Sequence, residues 1–151
     1  MKTPVEIGNL IQICIIVKDI EKTLASWCDT FNVPMPKINV MEPCDVPGVT
    51  YRGKPAHYGR KLAVIRVPDQ NYVFEFIQPT GGESSFQEFL DKHGEGVHHL
   101  GYAMGEKRDA IVSELYEKGF AERHFGAGVG NSWTHVDTEE ALGVNLNIKI
   151  K

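Results

Sequence analysis

The chain has 151 residues, 42% of them apolar and 24% charged, with 16 Lys plus Arg against 20 Asp plus Glu and a formal net charge of −4. This is the composition of one soluble globular domain rather than of a disordered chain, and a general nucleic-acid binder would need a basic face that this balance does not offer. No apolar run reaches the roughly 18 residues of a membrane span.

Three cysteines, Cys14, Cys28 and Cys44, are an odd number without CxxC spacing, which argues against a disulfide framework or a zinc finger. The opening Met-Lys-Thr-Pro-Val-Glu has no signal-peptide apolar region. The expected address is therefore a reducing cytoplasm.

Residues 10–17 are rich in β-branched types and predict a strand. Asp19 follows as an N-cap for a helix whose stripe is Leu24, Trp27, Cys28 and Phe31, with Pro34 and Pro36 as its stop. Residues 43–60 are rich in Pro, Gly and polar types without a clean period. They predict a long loop, either a lid over a binding site or plain surface. Residues 61–67 and 71–78 predict two strands, joined by a Pro-Asp-Gln-Asn turn. Ser84 and Ser85, with Gln87 and Glu88, form a capping-box pattern for a short helix closed by Gly94. A strand over 97–104 and a helix over about 106–118 come next, with Ile111, Leu115 and Tyr116 on one side. Strands near 120–125, 131–137 and 143–150 complete the chain. The glycine-rich stretch Phe125–Gly130 does not follow a βα turn and is expected to be a loop rather than a phosphate cradle.

The order strand, helix, strands occurs twice. Laying Gln12 on His99 also lays Leu24 on Ile111 and Cys28 on Leu115, so the helix stripes coincide. Laying Glu75 on Asn147 needs a shorter offset, so the first half carries about 15 extra residues between helix and last strand.

Strand alternation then singles out four polar positions. Gln12, Cys14 and Ile16 face away from the expected helix side. His99 shares its face with Gly101 and Ala103, and His98 is expected on the helix side with Leu100 and Tyr102. Glu75 sits between Phe74 and Phe76, and Asn147 between Leu146 and Ile148. A buried carboxylate needs a partner or a cation, and Gln, Glu and His make a plausible ligand set for a divalent ion. Each residue alone also suits an ordinary hydrogen-bonded structural role. Their repeat-equivalent placement is what favours a site.

Three stretches resemble a known family. Ile11–Thr23 resembles the opening strand and helix of the vicinal oxygen chelate superfamily, which holds glyoxalase I, methylmalonyl-CoA epimerase, extradiol dioxygenases and bleomycin-resistance proteins. Phe74–Pro79 resembles the strand ending its first module, and Phe89–Tyr102 the linker helix and opening strand of its second, especially in the epimerases.

The resemblance implies an α+β fold: one domain over residues 1–151, with two βαβββ modules forming a curved sheet around a central cleft. The modules would span about 8–80 and 96–151, with a linker helix over about 84–93. It places metal ligands at Gln12, Glu75, His99 and Asn147, for a divalent ion such as Zn, Ni, Co, Mn or Mg. The activity implied is metal-assisted enolisation of a small carbonyl or acyl-CoA substrate, of isomerase or lyase type, in a homodimer. The alternative is a metal-free small-molecule binder of the bleomycin-resistance type.

Three positions depart from the family pattern. Gln12 stands where epimerases carry His, and Asn147 where the family carries Glu. Ala63 aligns with a catalytic Glu of the epimerases. An amide takes no proton near neutral pH, so His135 becomes the candidate catalytic base, with His57 and Tyr58 as further candidates if the loop closes. Trp133 and His135 also suit plain packing roles, Lys61 and Arg66 plain solvated ones, and Cys14 that of a small buried hydrophobe.

Overall fold

The β-branched run forms β1 (Leu10–Ile16), and Asp19 caps α1 (Ile20–Phe31) by accepting from the Lys22 amide at 3.1 Å. The helix stops before either proline. Asn32 takes a left-handed conformation, φ 51°, and returns its N–H to the Cys28 carbonyl. Asn tolerates that conformation because its short polar side chain bonds locally. The computed structural model describes residues 1–128 and 131–151.

The stretch expected to be a long loop is instead a hairpin of β2 (Asn39–Tyr51) and β3 (Lys54–Arg66). Its turn is Arg52-Gly53, both at positive φ (49° and 78°), and a two-residue loop of that kind matches the twist of the flanking strands. Register shifts between Met41 and Cys44, and between Asp45 and Thr50, absorb Pro43, Pro47 and Gly48.

β4 (Val73–Gly82) leads to α2 (Ser85–His93). Ser84 accepts from the Gln87 amide at 3.1 Å, but the reciprocal half of the capping box is not made, because the Gln87 side chain bonds Asp91 at 2.8 Å. The second half runs β5 (Gly96–Ala103), α3 (Arg108–Glu117), β6 (Glu122–Gly128), β7 (Asn131–Val136), a short α4 (Glu139–Leu142) and β8 (Asn145–Lys149). Phe125–Gly128 therefore belong to a strand rather than a loop, while Val129 and Gly130 lie outside the described residues. Gly126 is required there: a Cβ would meet the Trp133 indole at 2.2 Å.

The eight strands close into a barrel in the order β1-β4-β3-β2-β6-β7-β8-β5. β1 runs parallel to β4 and antiparallel to β5, and β5 runs parallel to β8. Two helices cover the outside. α1 buries Ile20 and Leu24 against Val17, Ala63, Ile65 and Phe76, and α3 buries Ile111, Val112 and Leu115 against Tyr102, Val136, Leu146 and Ile148. Of the two predicted stripes, the outermost members stay exposed: Phe31 and Tyr116 lie at the helix edges. α2 differs, sending Phe86 and Phe89 among Cys14, Ile16, Tyr58 and Ile77 on the inner face. The molecule is thus a mixed α+β protein built on one closed sheet. Among the described residues no helix is long and apolar enough to cross a membrane.

Candidate functional site

Strand adjacency brings the four polar positions together. β4, β1, β5 and β8 are consecutive around the barrel, and each contributes one of the four positions to the interior. Gln12, Glu75, His99 and Asn147 are all buried. The Gln12 amide donates to Glu75 Oε2 at 2.8 Å. Its Oε1 lies 2.9 Å from His99 Nε2 and accepts from the Asn147 amide at 3.3 Å. His99 Nε2 is 3.8 Å from Glu75 Oε1. Gly101 makes room for this cluster, since a Cβ there would lie 2.8 Å from Gln12 Cβ.

His98 departs from the alternation. Cys14 pairs with His99 but Ile15 pairs with Val97, so two residues of β5 oppose one of β1. This bulge turns His98 away from the α3 side and inward. Its Nδ1 lies 2.7 Å from His99 Nδ1, and its Nε2 meets the Ser85 carbonyl at 3.2 Å. Cys14 and His98 add two further potential ligands, and with His99 they offer ligand atoms within 4.8 Å of one another.

His135 pairs in register with Asn147 and lines the same interior. Its Nδ1 lies 3.3 Å from Ser85 Oγ, which is also 3.2 Å from His124 Nδ1. The hydroxyl has one proton, so it donates to one imidazole and accepts from the other. His124 Nε2 is buried without a partner. A lone pair is cheaper to orphan than an N–H, which favours His124 as the donor to Ser85, and Ser85 as the donor to His135 Nδ1.

The cavity has a volume of about 150 Å³ and is lined by Gln12, Glu75, His135 and Asn147, by Tyr58, Phe86 and Trp133, and by the cationic Arg60 and Lys149. His99 stands behind Gln12 and is not part of the wall. Burial pushes Glu75 above its ordinary carboxylate range, although Cys14, Lys149 and Arg60 act the other way. Burial holds His99 and His135 well below the usual imidazole range, reinforced by the neighbouring histidines and Lys149. His98 and His124 are pushed down to about 3, mainly by burial. All four rings are neutral at pH 7.

Other sequence candidates lie elsewhere. Ala63 faces α1, so the inward residues of β3 are Tyr58, Arg60 and Leu62. His57 is exposed and meets Asp45 at 2.8 Å in the hairpin, and Lys61 meets Glu21 on the outer face at 2.7 Å. Arg66 is exposed. Cys14 is fully buried beside Glu75, and desolvation first, then that carboxylate, raises its thiol well above the ordinary range. Sequence reading did not single out Ser85 as an inward-facing residue, or His98, His124, Arg60 and Lys149 as site neighbours.

The donor set suits a divalent cation. Metal–ligand bonds near 2.1 Å put neighbouring ligand atoms about 3.0 Å apart at right angles and about 3.4 Å apart in a tetrahedron. The observed separations of 2.9 and 3.8 Å bracket those values. Asn147 Oδ1 is buried with no hydrogen-bond partner, an acceptor left for such an ion.

A family model for the Glyoxalase/Bleomycin resistance protein/Dioxygenase superfamily matches residues 11–135. The chain belongs to that superfamily. Among solved structures, methylmalonyl-CoA epimerase from Mycobacterium tuberculosis is similar at 18% identity and a TM-score of 0.63, over 93% of this chain and 86% of that one. Streptomyces coelicolor methylmalonyl-CoA epimerase, in complex with 2-nitronate-propionyl-CoA, is similar at 20% identity and a TM-score of 0.62, over 93% and 95% of the two chains. A hypothetical protein from Bacillus halodurans C-125 is similar at 21% identity and a TM-score of 0.61, over 93% and 91%. At these identities the likeness is one of fold. No curated protein matches the chain.

Proposed function

We propose that this protein is a metal-assisted enzyme of the glyoxalase and methylmalonyl-CoA epimerase kind, an isomerase or lyase that enolises a small carbonyl or acyl-CoA substrate. The carrying observation is the convergence of Gln12, Glu75, His99 and Asn147 from four adjacent strands onto one buried point. We read the element order as two βαβββ modules, 8–80 and 96–151, joined by α2, and we assign the active species as a cytoplasmic homodimer.

Those four residues would hold the divalent ion, which when bound polarises a carbonyl as a Lewis acid. The rest falls to the protein. Arg60 and Lys149 bind and orient an anionic group of the substrate at the cavity wall. A cavity of about 150 Å³ admits an acyl group and leaves a bulky carrier outside. Phe86 and Trp133 exclude water from it. His135 accepts from Ser85 at Nδ1 and so carries its proton on Nε2, where it meets the substrate as a donor. It takes up the α-proton only when the Ser85 hydroxyl turns to accept from Nδ1–H and frees Nε2.

One observation favours a metal-free binding module instead. Asn147 replaces an acid, and Glu75 is the one carboxylate among the described residues that line the cavity. Metal content of protein purified without chelator, together with α-carbon deuterium exchange of methylmalonyl-CoA in D₂O, separates the two readings. A stoichiometric metal lost in Glu75→Ala supports the enzyme, while metal-free protein that still binds acyl-CoA without exchange supports the module. Exchange through this substrate is expected to be slow. Among the described residues that line the cavity there is no second carboxylate, so proton transfer falls to His135, whose basicity burial weakens. Lacking a well-matched general base costs about 10²–10⁴-fold.

A further inference from the structure

Three contacts run in series from α2 into the site: Ser85 carbonyl to His98 Nε2 at 3.2 Å, His98 Nδ1 to His99 Nδ1 at 2.7 Å, and His99 Nε2 to Gln12 Oε1 at 2.9 Å. Each needs one proton. Both ends, the Ser85 carbonyl and Gln12 Oε1, only accept. Two neutral imidazoles supply two protons, so the chain is one short. Turning the Gln12 amide over does not help. Its Nε2 donates to Glu75 at 2.8 Å and its Oε1 accepts from Asn147 at 3.3 Å, so the flip would demand both a proton on Glu75 and a turned Asn147 amide, two further changes where the present arrangement needs none. A third proton would place an imidazolium in a fully buried position.

One contact must therefore face lone pair to lone pair. Between the two rings the 2.7 Å separation is the shortest of the three and is a hydrogen-bond distance, so a proton lies there, and at the Ser85 end nothing would relieve the missing one. At the Gln12 end Glu75 Oε1 lies 3.8 Å from the same ring nitrogen, and a cation there relieves the facing lone pairs of His99, Gln12 and Glu75 together.

We propose that His98 is a positioning residue: it donates from Nε2 to the Ser85 carbonyl and accepts at Nδ1 from His99, so that His99 Nε2 faces Gln12, Glu75 and Asn147 as a bare lone pair reserved for a divalent cation. The assignment rests on the metal reading given above for its last step only. The bulge at His98 is then functional, because an unbulged β5 would leave His99 Nδ1 without this acceptor.

The test uses the full chain, stripped of metal. Long-range proton–nitrogen correlation spectra of the histidine rings report their tautomers, and Zn²⁺ affinity is measured by competition with a chromophoric chelator. Wild-type His99 is expected as the Nδ1–H tautomer. His98→Leu is expected to bind Zn²⁺ about 10–100-fold more weakly, the usual cost of removing a group that orients a ligand. His98→Gln, whose amide carries a donor and an acceptor spaced like the two ring nitrogens, should recover most of the loss. His99 as the Nε2–H tautomer, or wild-type affinity in His98→Leu, overturns the proposal. If the wild type has no Zn²⁺ site, the proposed function falls together with the cation step, and the tautomer in that same sample decides the relay by itself. The tautomer measurement needs no variant, so a His98→Leu chain that fails to fold leaves the decision with it.

Discussion

Asn147 is where this chain departs most from its family, and it is also the site oxygen without a partner. Asn147→Glu would add a negative charge and a stronger ligand for a hard cation. Divalent-metal affinity, followed by chelator competition, should rise roughly tenfold, about 1.4 kcal/mol. Unchanged affinity would remove Asn147 from the ligand set. Gly101 supports the same point sterically. A methyl group there meets Gln12 Cβ at 2.8 Å and Oε1 at 2.9 Å. Gly101→Ala should therefore cost about 1–3 kcal/mol of stability through overpacking and weaken metal binding by displacing Gln12. A variant that melts and binds like the wild type would show that Gln12 yields freely. The positions of Gln12, Glu75, His99 and Asn147 were legible in the sequence because each is a polar residue in an apolar strand, and alternation alone assigns the face. His98 was not. One extra residue in β5 reverses the face of its neighbour, and no hydrophobic period records a bulge in a two-histidine run.

Among the elements, β1, β4, β5, α1 and α3 were legible because one face of each packs on a core, which imposes period 2 or 3.6 on the sequence. The β2–β3 hairpin was not. Most of β2 is exposed or half-buried, so neither face is forced to be apolar, and Pro43, Pro47 and Gly48 occupy its register shifts. These read as loop chemistry while the backbone stays paired. Closure of the barrel, through β2 against β6, depends on this hairpin, and its turn depends on Gly53 at φ 78°. Gly53→Ala has open space for its methyl group but a strained backbone. It should lower stability by about 1 kcal/mol, read as a drop in melting temperature, with little change in metal affinity. A variant as stable as the wild type would mean that the turn relaxes to another type without loss.

At the scale of the whole molecule, closing the sheet encloses four histidines, His98, His99, His124 and His135, in one interior, and this couples the fold to pH. Burial pushes His98 and His124 down to about 3, while an unfolded chain leaves them near 6.5. Between those values the unfolded state binds more protons. Their full stability is therefore present above about pH 6.5 and is lost progressively as pH falls toward 3. At pH 5 each ring accounts for about 2 kcal/mol, roughly 4 kcal/mol for the pair, a large share of the 5–15 kcal/mol typical of a domain. Glu75 runs the other way, since its raised carboxyl favours the folded state as pH drops, but it is one group against several. Urea unfolding of metal-free protein at pH 7.5 and 5.0 reads the difference directly. His124 stacks on Tyr58 with a ring-centroid distance of 5.4 Å and leaves Nε2 unpartnered, so His124→Phe keeps the aromatic contact and removes the titrating group. The gap between the two pH values should shrink by about 2 kcal/mol in that variant. Equal stability at both pH values in the wild type, or an undiminished gap in His124→Phe, would show that these rings accept protons without opening the barrel.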